Sequence, residues 1–430
     1  MSEDTIFALA TGTLPCAVAI VRISGPDAAA AVSGLLSGQG LPPARRASLR
    51  TLRIDGGELL DEALILVFPA PNSFTGEDVI ELQVTGSVAL VAKLLKELAR
   101  VPDCRMAAPG EFARRAFLNG RIDLTEAEGL AALIDAETEA QRTQAMMAAN
   151  GTLRARAEQW RGELLSIRAD LEAVLDFGEA EDDVGETVVG EVAQRIDALR
   201  EDMGKVVARS ESARRIRRGV DIAIIGSPNA GKSSLVNMLS QSDAAIVSEI
   251  AGTTRDVIEV PLDIGGYRAT LIDTAGLRET SDEIEAEGVR RARQRAANAD
   301  IRIHLLLPEE HAPGGSDIIV RSKADVDDGL PKDSIHVSAV TGQGLDALLD
   351  DITARISGCV NKGDLMTVSA RQASELASTE AELVLAQSTA DPVLSAEHLR
   401  KAAEALGVLT GHVTSEDVLG QIFSRFCIGK

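Results

Sequence analysis

Aromatic side chains are nearly missing from this chain: 2% of 430 residues, with one Trp, one Tyr and eight Phe. Proteins that grip single-stranded nucleic acid stack bases on several such rings, so that mode of binding is disfavoured. Positive charge is short as well. Forty-four Lys and Arg stand against 66 Asp and Glu, a formal net charge of −22, which argues against a basic nucleic-acid groove over most of the surface and leaves only a local patch open. Four cysteines (Cys16, Cys104, Cys359, Cys427) are widely scattered, with no CxxC pair and no His at ligand spacing; neither a disulfide framework nor a structural zinc site is expected. No run of about 18 apolar residues occurs, so no membrane-spanning helix is expected. The start, Met1-Ser2-Glu3-Asp4, is acidic where a secretory signal is basic. What remains is ordinary for a soluble, cytoplasmic protein: 45% apolar, 26% charged, and long enough for roughly two to four domains.

Texture changes along the chain. Up to about residue 118, short apolar runs bounded by Gly and Pro predict strands at Ala17–Ile23, Ala63–Phe68 and Val79–Val84, with helices at Ala28–Leu36 and Val88–Ala99. From about Thr125 to Glu211, Pro is absent while Ala, Leu, Glu, Arg and Gln dominate, which predicts long helices. Thr125-Glu126-Ala127-Glu128 offers a capping box, and the acidic stretch Phe177–Gly190 predicts a break between two helices. The helical texture returns at about 365–425. Each set needs a partner for its apolar stripe, so the two are read as one discontinuous helical domain around an insertion, with two separate helical pieces as the alternative. The insertion alternates strand signals (Val220–Ile225, Arg268–Ile272, Ile301–Leu307, Asp317–Val320, Ser334–Val337) with helical ones, the pattern of a mostly parallel, helix-covered sheet. The fold class is therefore multidomain α/β + α. It comprises an N-terminal α+β domain (1–118), a helical domain in two parts (119–216 and 358–430) and an inserted domain (217–357) that its phosphate-loop motif at Gly226–Ser233 makes Ras-like and P-loop.

The insertion carries the sharpest chemistry. Gly226-Ser227-Pro228-Asn229-Ala230-Gly231-Lys232-Ser233 follows a strand and opens a helix, the context a phosphate loop requires. Its backbone N–H groups and helix N-terminus face anionic phosphates. Lys232 reaches the β- and γ-phosphates, and the Ser233 hydroxyl ligates Mg²⁺. Asp273-Thr274-Ala275-Gly276 ends a strand, where Asp273 serves the Mg²⁺ shell. Gly252-Thr253-Thr254-Arg255-Asp256 supplies a switch threonine, Thr254, for the metal. Ser322-Lys323-Ala324-Asp325 makes the base guanine: Asp325 accepts from N1–H and the exocyclic amine, which adenine lacks, and the Lys323 stem covers the base plane. Ser338-Ala339 fits the loop that meets guanine O6. Leu277 stands where many GTPases place a water-orienting Gln, and an aliphatic side chain orients no water.

Taken together, these motifs resemble the translation-factor-related GTPases and, within them, the MnmE (TrmE) family of tRNA-modifying GTPases. Three further features carry that match: Pro71-Asn72-Ser73-Phe74-Thr75-Gly76-Glu77-Asp78 with Glu81; Pro109-Gly110-Glu111-Phe112 through Asn119-Gly120-Arg121; and the ending Phe426-Cys427-Ile428-Gly429-Lys430. Similarity extends over essentially the whole chain. It implies a GTP site formed by Asn229, Ala230, Gly231, Lys232, Ser233 and Ser234; by Ser248, Glu249, Ile250, Ala251, Gly252, Thr253 and Thr254; and by the Asp273, Ser322 and Ser338 motifs. The resemblance also implies K⁺ on Asn229 with backbone oxygens near Ser248, Ile250 and Thr253, and Glu285 as the catalytic carboxylate, with Glu283 and Glu287 close enough in sequence to compete. The N-terminal domain is then expected to dimerise and to bind a tetrahydrofolate derivative through Arg22, Glu81 and Arg121. The resemblance further implies that the tail folds back toward the folate pocket, with Lys430 contacting ligand and Cys427 supporting it, direct thiol chemistry being the lesser alternative. As partner it implies an MnmG (GidA)-like FAD protein in a heterotetramer, with tRNA held mostly by that partner. Three departures from the family pattern stand out: Ser322 in place of the usual Asn, a short stretch between Gly276 and Ser322, and Arg at 121. Two rival readings are a regulatory or ribosome-assembly GTPase without modification chemistry, and an ATP-driven motor. The five histidines (His304, His311, His336, His398, His412) show no catalytic or metal spacing and are expected to be structural or at the surface.

Overall fold

The computed structural model describes residues 4–54, 57–177, 182–208, 210–242, 244–246, 259–273, 294–295, 297–312, 317–326, 334–359, 368–389, 391–413, 416–424, 426 and 428–429. These fall into two compact units: 1–131 with 153–163 and 403–430, and 132–152 with 164–402.

The first unit is built on a six-stranded sheet of order β3-β4-β5-β2-β1-β6. Its strands are β1 (Thr5–Leu9), β2 (Cys16–Ser24), β3 (Ser48–Arg53), β4 (Leu59–Phe68), β5 (Val79–Gly86) and β6 (Cys104–Met106). Every pair is antiparallel except β1 with β6. Successive side chains in a strand point to opposite faces. Phe7, Val21, Ile23, Ile80 and Leu82 therefore pack one face against α1 (Ala28–Ser33) and α2 (Val88–Leu98). Ile6, Ala8, Arg22, Ser24 and Glu81 fall on the other, where Ala107, Phe112 and Phe74 join Ile6 and Ala8 in a small core. Helix α1 is shorter than its apolar spacing predicts, giving way to turns after Ser33.

Helices α3 (Glu111–Leu118), α4 (Leu124–Ile134), α5 (Glu139–Ala149), α6 (Thr152–Phe177), α7 (Asp182–Ala208) and α8 (Ser210–Arg218) follow. The capping box of α4 lies two residues earlier than expected. Asp123 Oδ1 accepts from Glu126 N–H at 2.7 Å while Glu126 Oε2 accepts from Asp123 N–H at 2.7 Å. Thr125 lies inside the first turn, fully buried, and donates to Asp123. Aspartate, a charged acceptor and a better N-cap than threonine, takes the cap position. The break expected across Phe177–Gly190 is also narrower, because α7 already begins at Asp182.

The second unit holds another six-stranded sheet, order β12-β11-β10-β7-β9-β8, built from β7 (Val220–Ile225), β8 (Glu259–Ile264), β9 (Tyr267–Asp273), β10 (Ile301–Leu306), β11 (Ile318–Arg321) and β12 (Ile335–His336). All neighbours are parallel except β8 with β9. Pro261 hides β8 from sequence reading; as an edge strand it tolerates a residue that cannot donate to the ladder. Helices α9 (Lys232–Ser240) and α10 (Leu345–Cys359) help cover the sheet, with Leu235, Leu239, Leu348 and Ile352 joined to Ile222, Ile224 and Ile303 in one core. Helices α11 (Ala370–Ser388), α12 (Pro392–Thr410) and α13 (Glu416–Phe423) close the chain. Helix α11 packs on α7, where Gln387 donates to Asp197 Oδ1 at 2.9 Å and accepts from Arg200 at 2.8 Å. The helical segments before and after the inserted sheet thus meet, so the discontinuous reading stands over that of two separate pieces.

Candidate functional site

In the parallel sheet, hydrophobic strand runs are buried on both faces, leaving the carboxyl ends for polar work. Strand β7 feeds residues 226–231, which lead into α9 with Gly231 as its N-cap in the left-handed region. A Cβ on Gly226 would lie 2.3 Å from the Leu305 carbonyl oxygen, so only glycine lets the loop start against the end of β10. Lys232 Nζ folds back to the carbonyls of Gly226 and Ser227, both at 2.8 Å. Asn229 is exposed at φ +64°, Ala230 is fully buried, and Ser233 and Ser234 lie in the first turn of the helix. Asp273 ends β9 directly opposite Ile224 in register.

Past β11, Ser322 is buried and donates through its hydroxyl to Leu306 O at 3.2 Å. Lys323 follows at φ +61° and, like Asp325, is exposed. Ala324 N–H donates to Val337 O at 3.1 Å, tying this loop to the one that begins at Ser338. Ser338 is fully buried and its hydroxyl accepts from the N–H groups of Val340 and Thr341, while Ala339 is exposed. The loops after β7, β11 and β12 and the last residue of β9 therefore share one edge. This edge fits a Mg²⁺-nucleotide: backbone donors at a helix N-terminus and Lys232 for phosphates, Ser233 for the metal, Asp325 for the base. Ser248, Glu249, Ile250, Ala251, Gly252, Thr253, Thr254, Thr274, Ala275, Gly276, Leu277, Glu285, Cys427 and Lys430 lie outside the described residues, as does the side chain of Asp273.

A second polar group sits on the face of the antiparallel sheet. Arg22 and Glu81 are register partners on β2 and β5, joined at 2.9 Å and 3.0 Å. The Arg22 guanidinium also lies over the rings of Phe74 and Phe112, at 5.7 Å and 5.8 Å. The Arg121 stem rests against Gly76, where an added Cβ would be 3.2 Å from Arg121 Cγ. The turn carrying Phe74 and Gly76 thereby draws the three residues to one region. The tail also returns here: a Cβ on Gly429 would come within 2.1 Å of Leu9 O, on the strand paired with β2. Phe423 and Phe426 pack with Leu124 and Ala113 in the same unit.

Beneath that turn is a buried network missed by sequence reading. Arg115, 5% exposed, pairs with Glu77 at 3.1 Å and Asp4 at 2.8 Å. Glu77 in turn accepts from the Ser24 hydroxyl at 2.8 Å, and Ser24 and Thr75 hydroxyls lie 2.7 Å apart. The alternation of β2, which puts Ser24 on the face of Arg22, was the available signal. Burial opposes ionisation of Glu111, but Arg105, the Ala108 N–H and Arg115 hold its carboxyl below the usual range. Two histidines are structural, His304 against Asp317 at 2.8 Å and His398 against Glu382 at 2.7 Å. Among the described residues no His, Cys, Asp and Glu cluster could hold a metal ion, and no helix is long and apolar enough to cross a membrane.

Residues 5–121 match the family described as GTP-binding protein TrmE N-terminus, and residues 124–427 match the MnmE helical domain. The chain is 47% identical to the tRNA modification GTPase MnmE of Methylorubrum populi, over 100% of this chain and 98% of that protein. It is 46% identical to that of Rhodospirillum rubrum, over 100% of both. Among solved structures, Aquifex aeolicus Era bound to GDP·AlF4⁻ is 22% identical, covering 40% of this chain and 69% of that one, with a TM-score of 0.25. The chain belongs to the MnmE family of tRNA modification GTPases.

Proposed function

We propose that this chain is a homodimeric, K⁺-activated GTPase. With an MnmG-like FAD protein it modifies C5 of the tRNA wobble uridine, using a one-carbon unit from a tetrahydrofolate derivative. The observation that carries this reading is that one chain holds two separate polar sites. One is a sheet edge with phosphate and guanine loops; the other is a sheet face with Arg22, Glu81 and Arg121 beside the returning tail. The guanidinium groups suit the carboxylates of a folate, and Glu81 suits the amide face of its pterin. In the sequence, Leu277 stands just after Asp273–Gly276 and leaves water orientation to another group. K⁺ on Asn229 supplies the charge that an arginine finger gives elsewhere, and Glu285 polarises water. Hydrolysis then drives closing and opening of paired G domains and gates the modification rather than supplying its carbon chemistry. The formal charge of −22 suits a protein that leaves most tRNA contact to its partner.

Mass spectrometry of tRNA nucleosides from cells lacking the gene tests the reading. A C5-modified wobble uridine is expected to disappear and to return with the wild-type gene but not with an Arg22→Ala copy. Unchanged nucleosides would reduce the protein to a GTPase switch. In the purified protein, GTP turnover is expected to be faster in KCl than in NaCl, and equal rates would remove the K⁺ from the mechanism.

A further inference from the structure

The arginines of the first unit divide into two sets. Arg22, Arg100, Arg105 and Arg115 each meet a carboxylate. Arg45, Arg46, Arg50 and Arg53 meet none among the described residues, although the whole chain carries a formal charge of −22. Arg50 and Arg53 belong to edge strand β3 and donate to the carbonyls of Gly40 at 3.3 Å and Gly57 at 2.7 Å. Positive charge there keeps an open edge from pairing with another chain. Arg45 and Arg46 precede the strand, so edge protection does not account for them.

Both are exposed, yet Arg45 is held in place. Its backbone sits at φ +58° and its N–H donates to Val67 O at 2.8 Å. Its guanidinium lies over the Phe68 ring at 5.8 Å and donates to Asn72 O, which uses only part of the donor fork. These two holding residues border the second polar group. Asn72 lies in the turn that carries Phe74 and Gly76. Phe68 pairs with Val79, and Val79 with Ser24, so Phe68 shares the sheet face of Arg22 and Glu81. Leu66 is the β4 partner of Glu81. Phe68 is therefore one strand and two residues from Glu81, about 5 Å across the sheet and about 7 Å along it.

Resting on the reading of Arg22, Glu81 and Arg121 as folate-binding residues, we propose that Arg45 and Arg46 form a subsite for the γ-linked polyglutamate tail of that folate. A tetrahydrofolate carries its pterin and its glutamate at opposite ends. With the pterin on Glu81 and the first carboxylates on the neighbouring guanidinium groups, the tail runs off the face, and each further γ-linked glutamate adds one carboxylate. Arg45, anchored between β4 and the turn, takes the first of these, and Arg46, next in the chain, takes a later one. A guanidinium suits this task because its planar fork pairs bidentately with a carboxylate. The preferred substrate is then a polyglutamylated tetrahydrofolate rather than the monoglutamate.

Anaerobic calorimetric titration of tetrahydrofolate monoglutamate and triglutamate against the full chain tests it. Wild type is expected to bind the triglutamate about fivefold tighter, the scale of two exposed ion pairs. Arg45→Gln with Arg46→Gln is expected to abolish that advantage, and the charge-matched pair Arg50→Gln with Arg53→Gln to leave it. Because the ratio compares two ligands on one preparation, a loss of folded protein moves both and leaves the ratio alone. Equal affinities in wild type, an advantage that survives Arg45→Gln with Arg46→Gln, or one that falls equally in the matched pair would overturn the subsite. If the advantage survives while binding of labelled tRNA is lost, the two arginines serve RNA instead. A wild-type chain that binds neither folate would overturn the underlying folate reading itself.

Discussion

The molecule holds two six-stranded sheets that carry polar groups in opposite places. In the antiparallel sheet they stand on a face: Arg22 and Glu81 in mid-strand, with Arg115 and Glu77 buried close by. In the parallel sheet they stand on an edge, in loops beyond β7, β11 and β12. Covering helices explain the difference. A parallel sheet is clothed on both faces and has only its strand ends to offer. An antiparallel sheet with helices on one face can give its other face to charge. A face site is part of the packing, whereas an edge site hangs from it. Removing a charge should therefore endanger the fold in the first sheet and spare it in the second.

The largest expected effect follows directly. Arg115→Ala leaves Glu77, 6% exposed, as a buried carboxylate without its cation. Breaking such a pair costs about 3–5 kcal/mol, so the first unit should unfold at markedly lower urea concentration, followed by Trp160 fluorescence and circular dichroism. A loss below about 1 kcal/mol would show that the face tolerates an unpaired charge, and the comparison would fail.

The same contrast decides what could be read from the sequence. The phosphate loop is eight consecutive residues, 226–233, because one strand end delivers all its donors together. Ser322–Asp325 and Ser338–Ala339 are likewise contiguous, so the edge site was legible by motif. Arg22 and Glu81 are 59 residues apart and meet only through strand register. Nothing local marks them, and they were named only through family resemblance. Thr75 and Glu77 were read only as part of a family motif, and Arg115 and Ser24 escaped altogether, since each is an ordinary residue made special by burial. Strand boundaries suffered where apolar signal was thin, as in three-residue β6 and Pro-containing β8.

A middle-sized effect is expected at the neutral amide contacts that the second unit buries beside α5. Helix α5 meets the second sheet through Ala140 N–H to Gly266 O at 3.0 Å, and Gln144, 4% exposed, donates to Ala213 O at 3.1 Å. Gln144→Ala leaves that carbonyl without its donor, at a cost of about 1–2 kcal/mol. Urea denaturation of the second unit measures it, and a loss as large as that of Arg115→Ala would erase the distinction between ionic and neutral burial.

The cap of α4 gives a smaller effect with a pH signature. Burial raises the Asp123 carboxyl above its usual range despite bonds from Glu126 N–H and Thr125, and its Oδ2 is buried without a hydrogen-bond partner. A carboxyl with a raised folded pKa binds protons more tightly folded than unfolded. Its charge therefore costs stability at neutral pH, and the cost fades as pH falls toward and below the unfolded value. Asp123→Ala loses the cap, about 1 kcal/mol. Asp123→Asn keeps the Oδ1 acceptor without the buried charge and should cost less. Its cost relative to Asp should be smallest near pH 7 and grow in acid, where wild type sheds its own charge penalty, checked by melting temperature across pH.

The smallest expected effect on stability is at the edge, and it sharpens the contrast most. Lys232 bonds two loop carbonyls and stands outside the apolar cluster that joins the sheet to α9. Lys232→Ala should shift unfolding of the second unit by less than about 1 kcal/mol while abolishing detectable GTP binding in the same preparation. Ile222, Ile224, Leu235 and Leu239 hold the sheet and α9 together whether or not the lysine is present. If the variant instead unfolds as readily as Arg115→Ala, the phosphate loop is part of the packing after all. Edge and face would then differ only in which strands they use, not in what the fold asks of them.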